Sequence, residues 1–200
     1  MRNTAAKSAL SEEDRLRADV YHFLATYLMS RPGETALNAA RSFSGDDSAF
    51  GKAFNTLARI AGKMSAAELG SEYDALFIGL GRGELLPYGS YYLTGFLNEK
   101  PLAKLRNAMR ELGIARREGV SDPEDHAGSL MEMMAGLILG SYGEAASIPV
   151  QRNFFNTHIE LWAGHFFADL EAAKGSRFYQ PVGTIGRLFM EIEKSAFAME

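Results

Sequence analysis

Apolar residues recur at helical spacing along almost the whole of this 200-residue chain. The clearest run follows a capping-box pattern, Ser65-Ala-Ala-Glu68, and its apolar residues fall at i, i+4, i+7, i+8 and i+11. These residues are Leu69, Tyr73, Leu76, Phe77 and Leu80. No sustained alternation of apolar and polar residues indicates a strand. The pattern therefore predicts an all-α fold, a single-domain helical bundle that spans residues 1–200.

Composition excludes several classes of protein. The chain has no cysteine, which rules out disulfides, thiolate zinc sites and a cysteine nucleophile. A net charge of −4 without a cluster of lysine or arginine disfavours nucleic acid as a partner. No uncharged apolar run approaches the ~18 residues of a membrane span, so we expect no stable membrane insertion. Residues 1–10 lack the apolar segment of a secretory signal and are expected to be disordered.

One segment interrupts the helical pattern. Residues 79–95 contain five glycines, one proline and three tyrosines, which predicts a long aromatic and glycine-rich loop. Loops of this length in compact domains are usually functional. Its first part, GLGRGE at 79–84, has Glu84 where the dinucleotide fingerprint needs glycine, and it lacks the Gly-Lys-Ser/Thr of a P-loop. A hinge is therefore favoured over a phosphate-binding loop.

Residues 150–170 carry two apolar stripes, which predicts a helix at the centre of the bundle. His158 and His165 are seven positions apart, whereas metal ligands on one helical turn stand at i and i+3 or i+4. We therefore expect both histidines to complete an aromatic core, and no metal is predicted. Methionines 131, 133 and 134 are better explained as core residues than as an adaptable binding surface, although exposure of one or two stays open.

The stretch SDPEDHAGSLMEMM at residues 121–134 combines polar residues with the start of an apolar helix. Asp122 can cap this helix and Pro123 can occupy its first position, with Glu124 and Asp125 against the positive end of the helix dipole. Capping does not explain His126. Asp122 lies one turn earlier and could hydrogen-bond the imidazole for acid–base chemistry. The residues alone leave a helix start and a functional site equally open.

Four motifs together add a resemblance. They are E-Y-D-A-L-F-x-G at 72–79, P-Y-G-S-Y-Y at 87–92, D-P-E-D-H at 122–126 and F-x-x-x-H-x-x-x-W at 154–162. In this order, on an all-helical chain of this length, they resemble the TorD/DmsD/NarJ superfamily of cytoplasmic chaperones for the maturation of molybdenum-cofactor redox enzymes. Residues 73 and 88 are tyrosines where some members carry tryptophan.

The resemblance implies a cytoplasmic chaperone, a monomer or homodimer, that is not an enzyme and carries no cofactor. It would bind the twin-arginine signal peptide, the apo-form of a molybdenum-cofactor oxidoreductase, or both, and assist cofactor insertion before export. The alternatives are a metal- or Asp/His-dependent hydrolase and a non-catalytic assembly subunit of a redox complex.

The resemblance also assigns a peptide-binding site. The implied residues are Tyr73, Leu76, Phe77, Pro87, Tyr88, Pro123, Asp125 and His126. Four nearby carboxylates are candidates for charge-assisted contacts with the arginines of a peptide. They are Glu72, Asp74, Asp122 and Glu124. The site requires the 79–92 loop and Asp125 to lie on the same side of the bundle.

Overall fold

The computed structural model describes residues 10–79, 83–116 and 122–199, and within these ranges the chain forms ten α-helices and no strand, which confirms the all-α prediction. The predicted disorder of residues 1–10 falls, apart from Leu10, outside the described ranges. The helices are α1 (Glu12–Leu28), α2 (Glu34–Arg41), α3 (Ala49–Ala61), α4 (Ala66–Tyr73), α5 (Gly89–Thr94), α6 (Lys100–Glu111), α7 (Ala127–Leu139), α8 (Ile148–His158), α9 (Ala163–Glu171) and α10 (Tyr179–Met199).

The start of α4 follows the sequence pattern closely. Ser65 Oγ accepts the Glu68 N–H at 3.3 Å, and the Glu68 carboxylate accepts the Ser65 N–H at 2.8 Å. The two residues thus satisfy the first backbone donors of the helix reciprocally. Beyond Tyr73 the chain continues as one π-helical turn, Asp74–Ile78. It ends at Gly79, whose positive φ of 62° glycine adopts without the steric cost that a Cβ would impose.

The predicted loop at 79–95 is only partly a loop. Residues 80–82 lie outside the described ranges, and Gly89–Thr94 forms the short helix α5. The GLGRGE segment is therefore described only at its ends. The helix forms because residue 125, far along the chain, accepts the hydrogen bonds of its first N–H groups. A sequence pattern confined to 79–95 does not contain that partner.

The predicted continuous helix at 150–170 is also wrong, because it breaks into α8 and α9. The indole Nε1–H of Trp162 donates to the carbonyl of His158 at 2.8 Å, so a side chain satisfies the acceptor at the end of α8. His158 is buried beside Phe154, as expected. His165, on α9, is exposed, so the expectation that both histidines lie in the core is wrong for this residue.

The bundle is organised around contacts between distant helices. Helix α1 packs along α7, and α10 packs on α9 and α3. Methionines 131, 133 and 134 on α7 are 0%, 7% and 0% exposed, which confirms the core assignment. Among the described residues, no helix is both long and apolar enough to cross a membrane.

A buried ion pair links the first helix to the last. The Glu193 carboxylate, 1% exposed, accepts from the Arg17 Nε and Nη2 at 2.8 and 2.9 Å. It also accepts from the Tyr21 hydroxyl at 2.8 Å. The Arg17 guanidinium lies 5.2 Å from the centre of the Phe197 ring. Each of these buried polar groups therefore replaces its lost hydration with hydrogen bonds to the others.

We expect Glu193→Gln to lower the free energy of unfolding by about 2 kcal/mol, because the largely buried Arg17 then keeps only the Asp14 carboxylate as an anionic partner. Urea denaturation measures the change. The matched control is Glu191→Gln, which removes an exposed i,i+4 partner of Arg187 and should cost less than about 0.5 kcal/mol. Equal unfolding midpoints for the two variants would show that the buried pair does not stabilise the fold.

Candidate functional site

Two segments that are separate in sequence meet at a short antiparallel bridge between Tyr88 and His126. The Gly89 N–H donates to the Asp125 carbonyl at 2.9 Å, and the Ala127 N–H donates to the Pro87 carbonyl at 2.7 Å. The aromatic segment and the D-P-E-D-H segment therefore lie on the same side of the bundle. This is the geometry that the proposed peptide site requires.

Asp125 holds the start of α5. Its Oδ2 accepts the Ser90 N–H at 2.6 Å, and the side chain is buried, with 3% of the residue exposed. Its Oδ1 and the Ser90 Oγ are buried without a hydrogen-bond partner among the described residues. A Cβ at Gly89 would stand 3.0 Å from the Trp162 Nε1, so a larger residue here would push α5 away from the indole. Asp125 thus positions α5 against the core.

His126 is the N-cap of α7. Its Nδ1 accepts the Gly128 N–H at 3.1 Å, and the helix begins at Ala127. The prediction that Asp122 caps the helix and that Pro123 is its first residue is therefore wrong. The cause is the bridge to residues 87–89, which holds residues up to 126 in a non-helical conformation. The histidine that capping did not explain is the cap itself.

The His126 imidazole is neutral in the fold. Burial lowers its pKa to about 4, against the opposing effect of the Asp122 and Asp125 carboxylates. The ring meets the Tyr88 ring edge-on at a centroid distance of 5.2 Å. The Asp122 carboxylate accepts a hydrogen bond from the Tyr88 hydroxyl at 3.2 Å. The His126 Nδ1 accepts the N–H of Gly128, and the Asp122 carboxylate accepts the hydroxyl of Tyr88. The geometry therefore does not form an Asp122/His126 catalytic pair.

The residues assigned on α4 and the π-helical turn lie mostly inside the bundle. Tyr73 and Leu76 are 6% and 2% exposed, and Phe77 is half-buried. The Tyr73 hydroxyl donates to the Leu28 carbonyl at 3.3 Å, and its ring lies 5.0 Å from that of Phe77. Burial, with the nearby Asp122 and Asp74 carboxylates, raises the pKa of Tyr73 to about 12. This part of the predicted site is mostly internal.

The prolines and Tyr88 complete the set of assigned residues. Pro87 is buried, whereas Pro123 and Tyr88 are half-buried and reach the surface. Burial and the Asp122 carboxylate raise the pKa of Tyr88 above its usual range, so its hydroxyl keeps its proton and remains a donor. The structure therefore brings Pro87 and Tyr88 together with Asp125 and His126, and leaves only a few of the assigned residues accessible.

Two of the four candidate carboxylates are engaged away from the bridge. Glu72 accepts the N–H groups of Arg177 and Phe178 at 3.1 and 2.9 Å, just before α10. Asp74 pairs with Arg31 at 3.2 Å, and both side chains are about half exposed. Glu72 therefore has a structural partner, and Asp74 keeps partial access to solvent.

The other two carboxylates lie in the D-P-E-D-H segment and differ in access. Glu124 is 9% exposed and accepts from the Arg106 Nη2 at 2.8 Å, with the Arg116 Nη1 at 3.7 Å. Burial opposes ionisation of Glu124, but the two arginines hold its pKa below the usual range. Asp122 is exposed, and among the described residues no lysine or arginine pairs with its carboxylate.

A groove of about 290 Å³ lies between α1, α6 and α7, beside this segment. We call it the methionine groove, and its main apolar lining residues are Met29, Met109, Ile114, Met133 and Tyr142. Its charged lining is three carboxylates, Asp122, Glu124 and Glu132, and one guanidinium, that of Arg116. Sequence reasoning missed Met29 and Met109, because nothing local marks residues on different helices as neighbours. The only signal was the methionine-rich start of α7, which was assigned to the core.

His158 and His165 stand on different helices, α8 and α9. Among the residues that the structure describes, no group of three or more histidines and carboxylates could hold a metal ion.

Comparison with known proteins agrees with the fold and the motifs. The family model described as nitrate reductase delta subunit matches residues 44–168. The chain is 30% identical over 139 residues to the chaperone protein TorD of Photobacterium profundum, which covers 66% of this chain and 63% of that protein. It is 29% identical over 116 residues to the probable Tat proofreading chaperone DmsD of Haemophilus influenzae, which covers 57% of this chain and 54% of that protein.

The TorD of Vibrio cholerae is 24% identical, and the match covers 61% of its length, so this chain spans less than two thirds of these relatives. Among solved structures, a proposed redox enzyme maturation protein of Archaeoglobus fulgidus has the same fold. The TM-score is 0.59 at 21% identity, over 92% of this chain and 99% of that one.

The neutral His126 predicts a loss of stability in acid. Between pH 6.5 and about 4 the unfolded chain binds a proton at this position that the folded chain excludes, so the free energy of unfolding falls as the pH falls. His126→Asn keeps a capping acceptor but does not titrate. From pH 7 to pH 4.5 the variant should lose about 2 kcal/mol less than the wild type in urea unfolding.

The control for this experiment is His126→Ala, which removes the cap as well and should cost about 1 kcal/mol more than His126→Asn at pH 7. Parallel pH profiles for the wild type and His126→Asn would contradict a neutral buried imidazole.

Asp125 offers a matched pair of variants that separates its charge from its hydrogen bond. Asp125→Ala should lower the free energy of unfolding by about 2 kcal/mol, because the Ser90 N–H is left buried without an acceptor. Asp125→Asn keeps the acceptor and places its amide nitrogen where Oδ1 has no partner to lose. It should cost less than about 1 kcal/mol. Equal losses in thermal unfolding would show that the charge stabilises this region.

Proposed function

The chain belongs to the nitrate reductase delta subunit family, and on this premise we propose that it is a cytoplasmic, non-enzymatic chaperone for the maturation of a molybdenum-cofactor oxidoreductase. Its ligand is the twin-arginine signal peptide or the apo-form of that client, and it acts before export, while the cofactor is inserted. Its relatives TorD and DmsD are named as chaperones, and this supports a chaperone function for the chain.

The methionine groove is the observation that carries the peptide-binding proposal. A twin-arginine segment presents two guanidinium groups followed by apolar residues. Asp122 at the groove suits the first part, because a carboxylate can accept two parallel N–H bonds from one arginine. Met29, Met109 and Met133 suit the second part, because flexible thioether side chains adapt to varied apolar sequences.

The assigned residues then divide into two roles. Tyr88, Asp122 and Pro123 reach the surface and contact the peptide, and the Tyr88 hydroxyl orients the Asp122 carboxylate. Among the buried residues, Asp125 and His126 position these contacts through the bridge and the two helix starts. Pro87 forms the bridge with Ala127, and Tyr73, Leu76 and Phe77 pack mostly inside the bundle.

Glu124 is a weaker candidate for the first contact with a peptide. Its carboxylate already faces the guanidinium groups of Arg106 and Arg116, so a peptide arginine must displace one of them. Asp122 needs no such exchange among the described residues. We therefore assign the initial arginine contact to Asp122.

Fluorescence anisotropy with a labelled twin-arginine leader peptide tests this assignment. Replacing both peptide arginines by lysine should weaken binding about ten-fold, because lysine cannot form the bidentate contact. Asp122→Asn should weaken binding of the arginine peptide about five-fold, roughly 1 kcal/mol for an exposed pair, and should narrow the difference between the two peptides. The affinity should also fall with added salt.

The control variant is Asp47→Asn, the same change at an exposed aspartate before α3, which should bind like the wild type. Equal affinities for the arginine and lysine peptides would contradict the proposal, as would full affinity in Asp122→Asn.

A further inference from the structure

A second cavity of about 360 Å³ shares no lining residue with the methionine groove. It lies between α5, α6 and the turn that joins α8 to α9. Leu105, Leu130 and Trp162 form its floor, and each is 1% exposed. We call this cavity the lysine-rimmed pocket, and it is defined by Leu93, Lys100, Lys104, Leu105, Leu130, Leu161 and Trp162.

The mouth of this pocket is unusually apolar for an exposed surface. Leu93 and Leu161 line it and are 39% and 62% exposed. The turn that follows α5 also exposes Phe96 and Leu97, by 70% and 41%, although neither lines the cavity itself. Single exposed apolar side chains are ordinary, but several beside a cavity mark an interaction site. The mouth therefore fits an apolar side chain of a partner.

The rim of the pocket carries positive charge on a molecule whose net charge is −4. Lys100 and Lys104 both line the cavity and stand one helical turn apart on α6. Among the described residues, neither forms an ion pair, and this includes Glu99 at the start of α6. Glu160 pairs instead with Lys194 at 3.0 Å.

The charge of Lys104 affects the pKa of a residue that lines the pocket. Burial and the Lys104 ammonium together lower the pKa of His158, a lining residue, to about 4. The carboxylate of Asp125 also lines the cavity, but it is buried and accepts the Ser90 N–H at the start of α5. The accessible charge at this surface is therefore positive, opposite to that of the methionine groove.

We propose that the lysine-rimmed pocket is a docking site for an acidic amphipathic helix of a protein partner. An apolar side chain of that helix enters between Leu93 and Leu161, and carboxylates at i and i+4 face Lys100 and Lys104. The two lysines are about 6 Å apart along α6, which is the spacing of such a pair of carboxylates. A helix also satisfies its own backbone hydrogen bonds. An extended peptide would need hydrogen-bond partners that the side chains lining the pocket do not supply.

The test uses a small set of fluorescein-labelled amphipathic helical peptides of about 18 residues, long enough to be helical. Each has a leucine or phenylalanine flanked by glutamates at i and i+4, in a different register. We expect at least one to bind with a Kd below about 100 μM, and Lys100→Glu with Lys104→Glu should weaken it about ten-fold or more. Leu161→Ser should weaken it about five-fold.

Matched controls distinguish binding at this pocket from nonspecific electrostatic or hydrophobic binding elsewhere on the protein. Lys63→Glu changes an exposed lysine just after α3, and Leu16→Ser changes a leucine that is 60% exposed on α1. Both should bind the acidic peptide like the wild type. A peptide with lysine in place of both glutamates should bind the Lys100→Glu, Lys104→Glu variant better than the wild type.

Three results would overturn the proposal: no binding by any acidic peptide up to about 1 mM, equal binding by the lysine double variant, or dimerisation in light scattering that Leu161→Ser abolishes. The last result would make a second copy of the chain the occupant. Asp122→Asn should leave acidic-peptide binding unchanged, so failure of the signal-peptide proposal is measured independently of this one.

Discussion

The bridge between residues 87–90 and 125–127 is the contact on which the candidate site depends. Backbone bonds join Gly89 to Asp125 and Ala127 to Pro87, and the Asp125 carboxylate adds a third bond to the Ser90 N–H. These bonds satisfy the first donors of α5, and the bridge ends where His126 caps α7. Each hydrogen bond is worth about 1 kcal/mol net, but a buried donor left without a partner costs more. The two segments therefore stabilise each other, and neither would hold its conformation alone.

The bridge also separates two surfaces of opposite charge. Successive side chains of a non-helical segment point in different directions, and here Asp122 and Glu124 line the methionine groove while Asp125 lines the lysine-rimmed pocket. The groove is acidic and lined by methionines, whereas the pocket has lysines at its rim and exposed leucines at its mouth. A basic apolar peptide and an acidic helix would thus have separate binding sites on one small protein. Electrostatic complementarity of this kind discourages each ligand from the other site.

The sequence patterns predicted a helical chain and two segments for the candidate site, and three of the errors each involve a hydrogen bond that apolar periodicity does not show. The patterns assigned the cap of α7 to Asp122, treated 79–95 as a loop and ran one helix from 150 to 170. In each case a distant or side-chain partner changed the outcome: Pro87 for α7, Asp125 for α5 and the Trp162 indole for the end of α8. Local propensity could not reveal the bonds to Pro87 and Asp125, because those donors and acceptors come together only when the bundle has formed. The Trp162 bond is local, but it is made by a side chain, which apolar periodicity does not register.

The sequence by itself determined the all-α class, the capping box at Ser65, the burial of the α7 methionines and the absence of cysteine chemistry. These features depend on residue type and on periodicity, which are local properties of the chain. Only the tertiary structure decided that Asp125 and His126 are buried helix caps, that Met29 and Met109 join Met133 in one groove, and that Leu161 is exposed beside two lysines. The physical reason is that burial, charge pairing and cavity shape arise from residues far apart in sequence, which meet when helices pack.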